Sequence, residues 1–464
     1  MQFKTIIEPF KIKVIEPIRI TTEEERIKYL EEASYNLFSL KSDQVLIDFL
    51  TDSGTSAMSD NQWAGLMLGD ESYAGSKSWD RMKESIHALT GYPFIFPTHQ
   101  GRAAERIVYG KLGAKGKVFI SNTHFDTTRA NIEVTGAEAF DIPIPEAKET
   151  SVLHPFKGNM DIEKLESLIT KHGKENIGAV ILTVTNNSSG GQPVSMDNAK
   201  QISKICKKNG VVFILDCCRI AENSYFIKHR EDGFENTTYF EIAQQMFSLA
   251  DGCIMSAKKD AIVNMGGFFA FKDKDFADKC RETLIITEGY ITYGGLSGRD
   301  METIATGLHE VFDPDYLHYR ISSTAYLGKK LHEMGVPVML PIGGHAVYVD
   351  AKKLYSHIPP ESYPGQALAC DLYIKGGIRS CEIGSVMSGH NDAEGNFVCA
   401  PMELVRLAIP RRVYTQSHVE YVIEVFEKIL EEHEKATGLE IIEAPRFLRH
   451  FTAKFRKLPV LTEV

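Results

Sequence analysis

The stretch that decides the fold is Asp251-Gly-Cys-Ile-Met-Ser-Ala-Lys-Lys-Asp-Ala-Ile-Val-Asn-Met-Gly-Gly-Phe-Phe269. It reads as a buried strand, a polar loop holding Ser256, Lys258 and Lys259, then a glycine pair and a second apolar strand. Two adjacent lysines between buried strands are not a solvated charge run. An apolar setting disfavours the charged ammonium, so the amine becomes a usable nucleophile or base. A Schiff base to a carbonyl cofactor suits such a lysine, and spacing alone leaves Lys258 and Lys259 equally eligible. Pyridoxal phosphate (PLP) also needs a carboxylate facing its ring nitrogen. One stands upstream, at the end of Val211-Val-Phe-Ile-Leu-Asp216.

Outward from that stretch, short β-branched runs alternate with helical periodicity. Strands are expected at 118–121, 137–142, 179–185, 211–216, 252–255 and 268–271, with an extended segment at 93–97. Helices are expected at 79–90, from Gln100 to 112, and at 161–172, 195–209 and 239–249. Ser195 caps its helix and Gly210 ends it. This alternation means a mostly parallel sheet covered on both faces, the α/β class. Upstream, Thr22 and Glu25 form a capping box opening a helix over 23–39. A short strand at 45–50 and a helix at 61–68 follow, and residues 1–20 form an arm. Beyond Gly295 long helices (300–311, 321–334, 416–434) and isolated strands (338–340, 346–349, 405–409) replace the pattern. The expected organisation is an arm and first helix (1–55) packing with a small α+β domain (311–464), and a large cofactor-binding domain (56–310).

The chain has 464 residues, 43% hydrophobic and 25% charged, which is globular rather than disordered. A net charge of −10 argues against a nucleic-acid partner. No apolar run reaches the ~18 residues of a membrane span, and the N-terminus lacks a signal-peptide core. The eight cysteines are scattered with no C-x-x-C pair, which suggests reduced thiols and a cytoplasmic location.

Other residues carry candidate chemistry. Asp216 ends an apolar strand, where an ionised carboxylate needs a partner such as a pyridinium N–H, or Arg219. In Ser256-x-x-Lys259 the hydroxyl could hold a phosphate while the amine reaches an aldehyde. Gln100-Gly101-Arg102 opens a helix whose amides suit a phosphate, and Arg102 adds a fixed charge. Phe125 could stack on a cofactor ring. Asn187, past a strand end, could reach the ring hydroxyl. Arg406, inside Leu404-Val-Arg-Leu-Ala-Ile, demands an anion, either a substrate carboxylate or a structural partner. Ser256-x-x-Lys259 with Ser59-Asp-Asn61 also suggests a serine acylase, but their order is reversed and no K-T-G occurs.

These pieces, in this order, resemble the tryptophanase and tyrosine phenol-lyase family of β-eliminating lyases. The resemblance covers essentially the whole chain. It rests on Thr51-Asp-Ser-Gly-Thr, Gln62-Trp-Ala-Gly, Gly69-Asp-Glu-Ser-Tyr-Ala-Gly-Ser, Pro97-Thr-His-Gln-Gly-Arg, Gly190-Gly-Gln-Pro-Val-Ser-Met, Ala221-Glu-Asn-Ser-Tyr-Phe-Ile-Lys, Tyr293-Gly-Gly-Leu-Ser-Gly-Arg-Asp and Ile409-Pro-Arg-Arg-Val-Tyr-Thr. It implies a type I (aspartate-aminotransferase-like) PLP fold, with a mainly parallel seven-stranded sheet. It also implies a homotetramer with active sites between subunits. Lys259 is then the Schiff-base lysine, Asp216 faces the pyridine nitrogen, and Arg219 faces the ring hydroxyl with Asn187 near it. Phe125 stacks on the ring, while Gln100, Gly101, Arg102 and Ser256 hold the phosphate. Arg406 takes the substrate carboxylate, with Thr51 and Ser53 nearby. Tyr73 is the acid near the leaving group, contributed from a neighbouring subunit. Glu71 and the carbonyls of Gly54 and Asn264 form a potassium site, an oxygen set suited to a hard cation.

Three positions bear on substrate. Phenol-lyases carry an arginine for the phenol hydroxyl where this chain has Ile383. They carry threonine where it has Asp126, and phenylalanine where it has His450. All three side with the tryptophan-cleaving members. The implied reaction is carbon–carbon β-elimination of L-tryptophan to indole, pyruvate and ammonia, with cleavage of L-tyrosine to phenol as the alternative. Lys259 would remove the α-proton, and Tyr73, Asp126 and His450 would manage the proton that indole gains on leaving. Cys217-Cys218 and Ser188-Ser189 depart from the family pattern at positions that vary within it.

Overall fold

The computed structural model describes residues 5–392, 394–445 and 448–459. The chain divides into two compact units. One comprises Met1–Asp52, Lys148–Leu153 and Ser322–Val464; the other comprises Ser53–Ala147 and His154–Ile321.

The second unit is built on a seven-stranded sheet. Its order is Phe94–Thr98, Gly267–Phe271, Gly252–Ser256, Phe213–Asp216, Ile177–Thr183, Val118–Ser121, Glu138–Asp141. The last five strands are mutually parallel, and Gly267–Phe271 runs antiparallel to both its neighbours. The mainly parallel seven-stranded sheet expected from the sequence is therefore present. Ile177–Thr183 is buried at every position, as an apolar strand covered on both faces must be. Helices such as Met196–Asn209 cover the sheet; Ser195 accepts the Asn198 amide, and Gly210 ends the helix at φ +66°. The core gathers Val180, Leu182, Phe213 and Leu215 with helix residues such as Ile202, Ile242 and Phe247.

The first unit is α+β. A three-stranded antiparallel sheet runs Cys381–Ile383, Leu404–Ala408, Ala346–Asp350. Its helices include Pro364–Gly376 and Gln416–Glu432. Thr22 and Glu25 do form the capping box, but the helix is Glu23–Glu32 rather than 23–39. Ser34 and Tyr35 take positive φ, which breaks the ladder, and only a 3₁₀ turn, Leu37–Ser39, follows. The strand expected at 45–50 shrinks to Ile47–Asp48, paired with Ile378–Arg379. The strand expected at 338–340 is a single bridge, Val338 to Val349. The helices Ile220–Arg230 and Pro364–Gly376 carry no clear sequence signal, because their buried residues are not confined to one face, whereas Lys274–Thr287, capped by Asp273 and burying Ala277, Cys280 and Leu284 along one face, carries a signal that the sequence reading passed over.

Candidate active site at the carboxyl edge of the sheet

In parallel strands every carboxyl end lies along one edge, so residues just past those ends converge. Phe125 follows Val118–Ser121, Asn187 follows Ile177–Thr183, Asp216 ends its strand and Ser256 ends the next. Gly267 reaches the same edge because its strand runs the other way, pairing with Ser256 on one side and Thr98 on the other. The loop holding Gln100 is thereby drawn in, with a bridge from Gln100 to Gly266.

Gly101 opens the helix Gly101–Leu112 and lies against Ser256: a Cβ at Gly101 would sit 2.6 Å from the Ser256 Cβ. The amides of a twelve-residue helix thus start beside a buried hydroxyl, with Arg102 on the first turn. A phosphate fits this cradle, since backbone donors, a hydroxyl and a fixed cation meet where no side chain intrudes.

The two lysines separate. The Lys258 carbonyl accepts the Gly54 amide at 2.8 Å. Burial lowers the Lys258 pKa, and the cations of Lys259 and Arg102 lower it further. Lys259 instead lies within electrostatic reach of the Cys218 thiol. Its loop is pinned by the next residue: the Asp260 amide donates to the Cys218 carbonyl (3.3 Å), and the Asp260 carboxylate accepts the Ala221 amide (2.7 Å).

Asp216 is buried at 8% exposure, and its Oδ1 accepts the Cys218 thiol at 3.0 Å. The Cys218 sulfur in turn accepts the Ser256 amide at 3.3 Å. Burial first, then Asp216, pushes the Cys218 pKa well up, so it remains a neutral donor. Cys218 therefore joins the Asp216 carboxylate to the Ser256 end of the Gly101 cradle, a link the bare Cys217-Cys218 pair does not reveal. Glu105 is a second unforeseen member. It is buried, accepts the hydroxyls of Thr127 (2.8 Å) and Thr128 (2.6 Å), and is pushed up to about 6 by burial and then by Asp216. It steadies the start of the helix Asp126–Glu133, which follows Phe125.

Arg219 and Asn187 are buried, and the Arg219 amide donates to the Val184 carbonyl at 3.1 Å. Gly54 and Asn264 meet: Asn264 Nδ2 donates to the Gly54 carbonyl at 2.9 Å. The Glu71 carboxylate instead takes the Gly298 amide (3.1 Å) and Arg299 (2.9 Å). Tyr73 is 59% exposed, and its hydroxyl accepts the Tyr290 amide at 3.3 Å. Asp126 Oδ1 accepts the Thr127 amide, and Ser53 opens the same unit.

The remaining candidates belong to the other unit. Arg406 is buried mid-strand, and its Nη2 donates to the Leu50 carbonyl at 3.0 Å, beside Thr51. Ile383 is 8% exposed in an apolar cluster with Met339, Tyr348 and Leu404. His450 is buried, with its ring 4.1 Å from Phe451 and edge-on to Phe38 at 5.9 Å.

Residues 48–425 match the family described as Beta-eliminating lyase. A tryptophanase of Salinibacter ruber is 56% identical over 452 residues, 97% of this chain and 96% of that one. A tryptophanase of Rhodobacter capsulatus is 52% identical over 455 residues, 98% of this chain and 100% of that one. A tyrosine phenol-lyase of Symbiobacterium thermophilum is 46% identical over 451 residues, 97% and 98% of the two chains. Among solved structures, a Sphingomonas wittichii serine palmitoyltransferase superposes with a TM-score of 0.56 at 14% identity, covering 88% of this chain and 96% of that one. A serine palmitoyltransferase with PLP gives 0.56 at 16%, covering 88% and 97%. The architecture is thus the type I fold of PLP-dependent enzymes, and the chain belongs to the beta-eliminating lyase family.

Proposed function

We propose that the protein cleaves L-tryptophan to indole, pyruvate and ammonia with PLP held at the carboxyl edge of the large sheet. The observation that carries this is the convergence there of Asp216, the Gly101–Ser256 cradle and Lys259. When bound, PLP supplies an electron sink for the pair left at the substrate α-carbon. The residues supply the rest. Ser256 and the amides opening the Gly101–Leu112 helix hold the phosphate with Arg102. Asp216 holds a proton on the ring nitrogen, its own orientation fixed by the Cys218 thiol. The Lys259 amine anchors the cofactor and then takes the α-proton. By the resemblance, Arg219 and Asn187 are assigned to the ring hydroxyl and Phe125 to the ring face.

The resemblance, not the geometry, supports the other assignments. Arg406 takes the substrate carboxylate with Thr51 and Ser53. Tyr73 acts in a neighbouring subunit of a homotetramer, consistent with its exposure. Gly54, Asn264 and Glu71 hold K⁺, which would require Glu71 to exchange Arg299 for the cation. A cytoplasmic location accords with the absence, among the described residues, of any helix long and apolar enough to cross a membrane.

The apolar surroundings of Ile383 favour an indole over a phenol, whose hydroxyl needs a polar partner. The test is purified protein with PLP and K⁺, given L-tryptophan or L-tyrosine in parallel, reading indole, phenol and pyruvate. Indole and pyruvate with little phenol are expected. Phenol as the main product would move the protein to the tyrosine-cleaving branch.

A further inference from the structure

Ile383 and His450 are the residues of the first unit that the proposed function ties to the choice between indole and phenol, and the inference here rests on that reading. Directly after Ile383 come Gly384 and the short helical turn Ser385–Ser388. The amides opening this turn donate to two buried carboxylates. Ser385 N reaches Glu403 Oε2 at 3.1 Å; Val386 N and Met387 N reach Glu382 Oε1 and Oε2 at 3.0 and 3.1 Å. The Ser385 hydroxyl donates to Glu403 and accepts the Ala400 amide at 2.9 Å. The carbonyls of Ser385 and Val386 accept the Arg449 guanidinium, with Nε to Val386 O at 2.7 Å. Arg449 immediately precedes His450. Phe38 completes the circuit: it packs on the apolar cluster that contains Ile383 and meets the His450 ring edge-on.

The two carboxylates come from neighbouring antiparallel strands. Glu382 is in register with Val405, and Glu403 precedes Leu404, the partner of Ile383. They are 4% and 1% exposed. A Cβ on Gly384 would lie 2.4 Å from Glu403 Oε2 and 2.7 Å from Glu382 Oε1, so only glycine passes between them. Two buried anions this near each other cannot both be charged. Burial, then Glu403, pushes Glu382 up to about 8, and burial likewise raises Glu403. Lys352 and Asp350 act on Glu403 from the Ala346–Asp350 strand and the turn after it. Tyr363 lies within reach of both carboxylates, of Arg449 and of Cys399.

We propose that Glu382 and Glu403 are positioning residues, which fix Ile383 and His450 through the Ser385–Ser388 turn and Arg449. With one proton on the pair, its remaining negative charge is met by the turn amides. When that proton leaves, two anions face each other across Gly384, and the turn gives way. Neither carboxylate touches the reacting atoms.

Glu382 is protonated in the folded chain up to about pH 8, against a reference value of 4.5 for the unfolded chain. The folded state therefore binds the extra proton in that window, so the pair's contribution to stability is full below it and falls as pH rises through it. The experiment uses the PLP-loaded full chain, wild type beside Glu382→Gln and Glu403→Gln. Melting temperature is followed from about pH 5 to about pH 9, and kcat/KM is read for L-tryptophan and for S-methyl-L-cysteine, whose leaving group is small. The wild type should lose stability as pH rises, and Glu382→Gln should flatten that slope. Each variant should lower kcat/KM for tryptophan about 10-fold at neutral pH while changing it less than about 3-fold for S-methyl-L-cysteine. A wild-type stability slope absent across the window would overturn the shared proton without any variant needing to fold. Equal losses on both substrates would reduce the pair to general scaffolding. Phenol rather than indole from the wild type would instead remove the substrate reading, while the stability slope would still report on the pair.

Discussion

The two sheets place charge in opposite ways. In the seven-stranded sheet the inner strands Phe213–Asp216 and Gly252–Ser256 are apolar up to their carboxyl ends, where Asp216 and Ser256 stand and the next loop supplies partners. In the three-stranded sheet, charged groups sit within or beside the strands: Glu382 and Arg406 are internal, and Glu403 immediately precedes one. A group at a strand end can be served by amides of a following helix or by a ligand. A group within a buried strand must be neutralised by its immediate neighbours, as Glu382 is by the turn amides and by a retained proton. The first arrangement leaves strand-end groups within reach of a ligand, whereas in the second Glu382 and Glu403 store charge in a support and Arg406 is the internal charge assigned to the substrate.

That contrast is sharpest at Lys259. Lys259→Ala should cut pyruvate release about 1,000-fold or more, with the melting temperature of the apoprotein unchanged, because the loop is pinned by Asp260 rather than by the lysine. Near-normal release would move the reacting amine to Lys258 and break the distinction between the two lysines.

Arg406 tests the other side. Arg406→Leu replaces a buried cation by an apolar group that the strand tolerates. It should lower kcat/KM for tryptophan about 100-fold, mostly through KM, if the guanidinium serves the substrate carboxylate. An intact kcat/KM with a lower melting temperature would make Arg406 another internal support, like the glutamates.

Two smaller effects probe the edge of the large sheet. Gly101→Ala drives a Cβ into Ser256. It should weaken PLP retention about 10-fold, read by fluorescence titration of the apoprotein, because the helix amides must retreat from the phosphate. Cys218→Ala removes the thiol donor to Asp216 and should cost about 3-fold in kcat, with Cys218→Ser restoring most of it. Equal behaviour of the two variants would show that the contact fills space rather than orients the carboxylate.

Much of the large sheet was legible in the sequence, for a physical reason. Strands buried on both faces must be continuously apolar, so the runs 118–121, 179–185 and 211–216 announce strands, which the structure places at 118–121, 177–183 and 213–216, each ending in a polar residue at the carboxyl edge. The Ser195 and Gly210 helix boundaries were equally plain, because capping is local chemistry. The overlong first helix was a failure of the same local logic: its cap was right, but the stop lies in the backbone of Ser34 and Tyr35, non-glycine residues at positive φ that no pattern flags. Cys218, Glu105 and the Glu382–Glu403 pair were not legible, since each matters only through a neighbour far along the chain.

The sequence by itself determined the fold class and the family, and put forward Lys259, Asp216 and the Gln100, Gly101, Arg102 and Ser256 group as candidates. Those depend on local apolar periodicity and on long collinear motifs. Only the tertiary structure decided that Lys259 lies within electrostatic reach of Cys218 while Lys258 lies beside Gly54 and within reach of Arg102, and that Cys218 joins Asp216 to Ser256. It alone brought two carboxylates together across Gly384. Strand register and loop closure create those contacts between residues that one-dimensional spacing keeps apart.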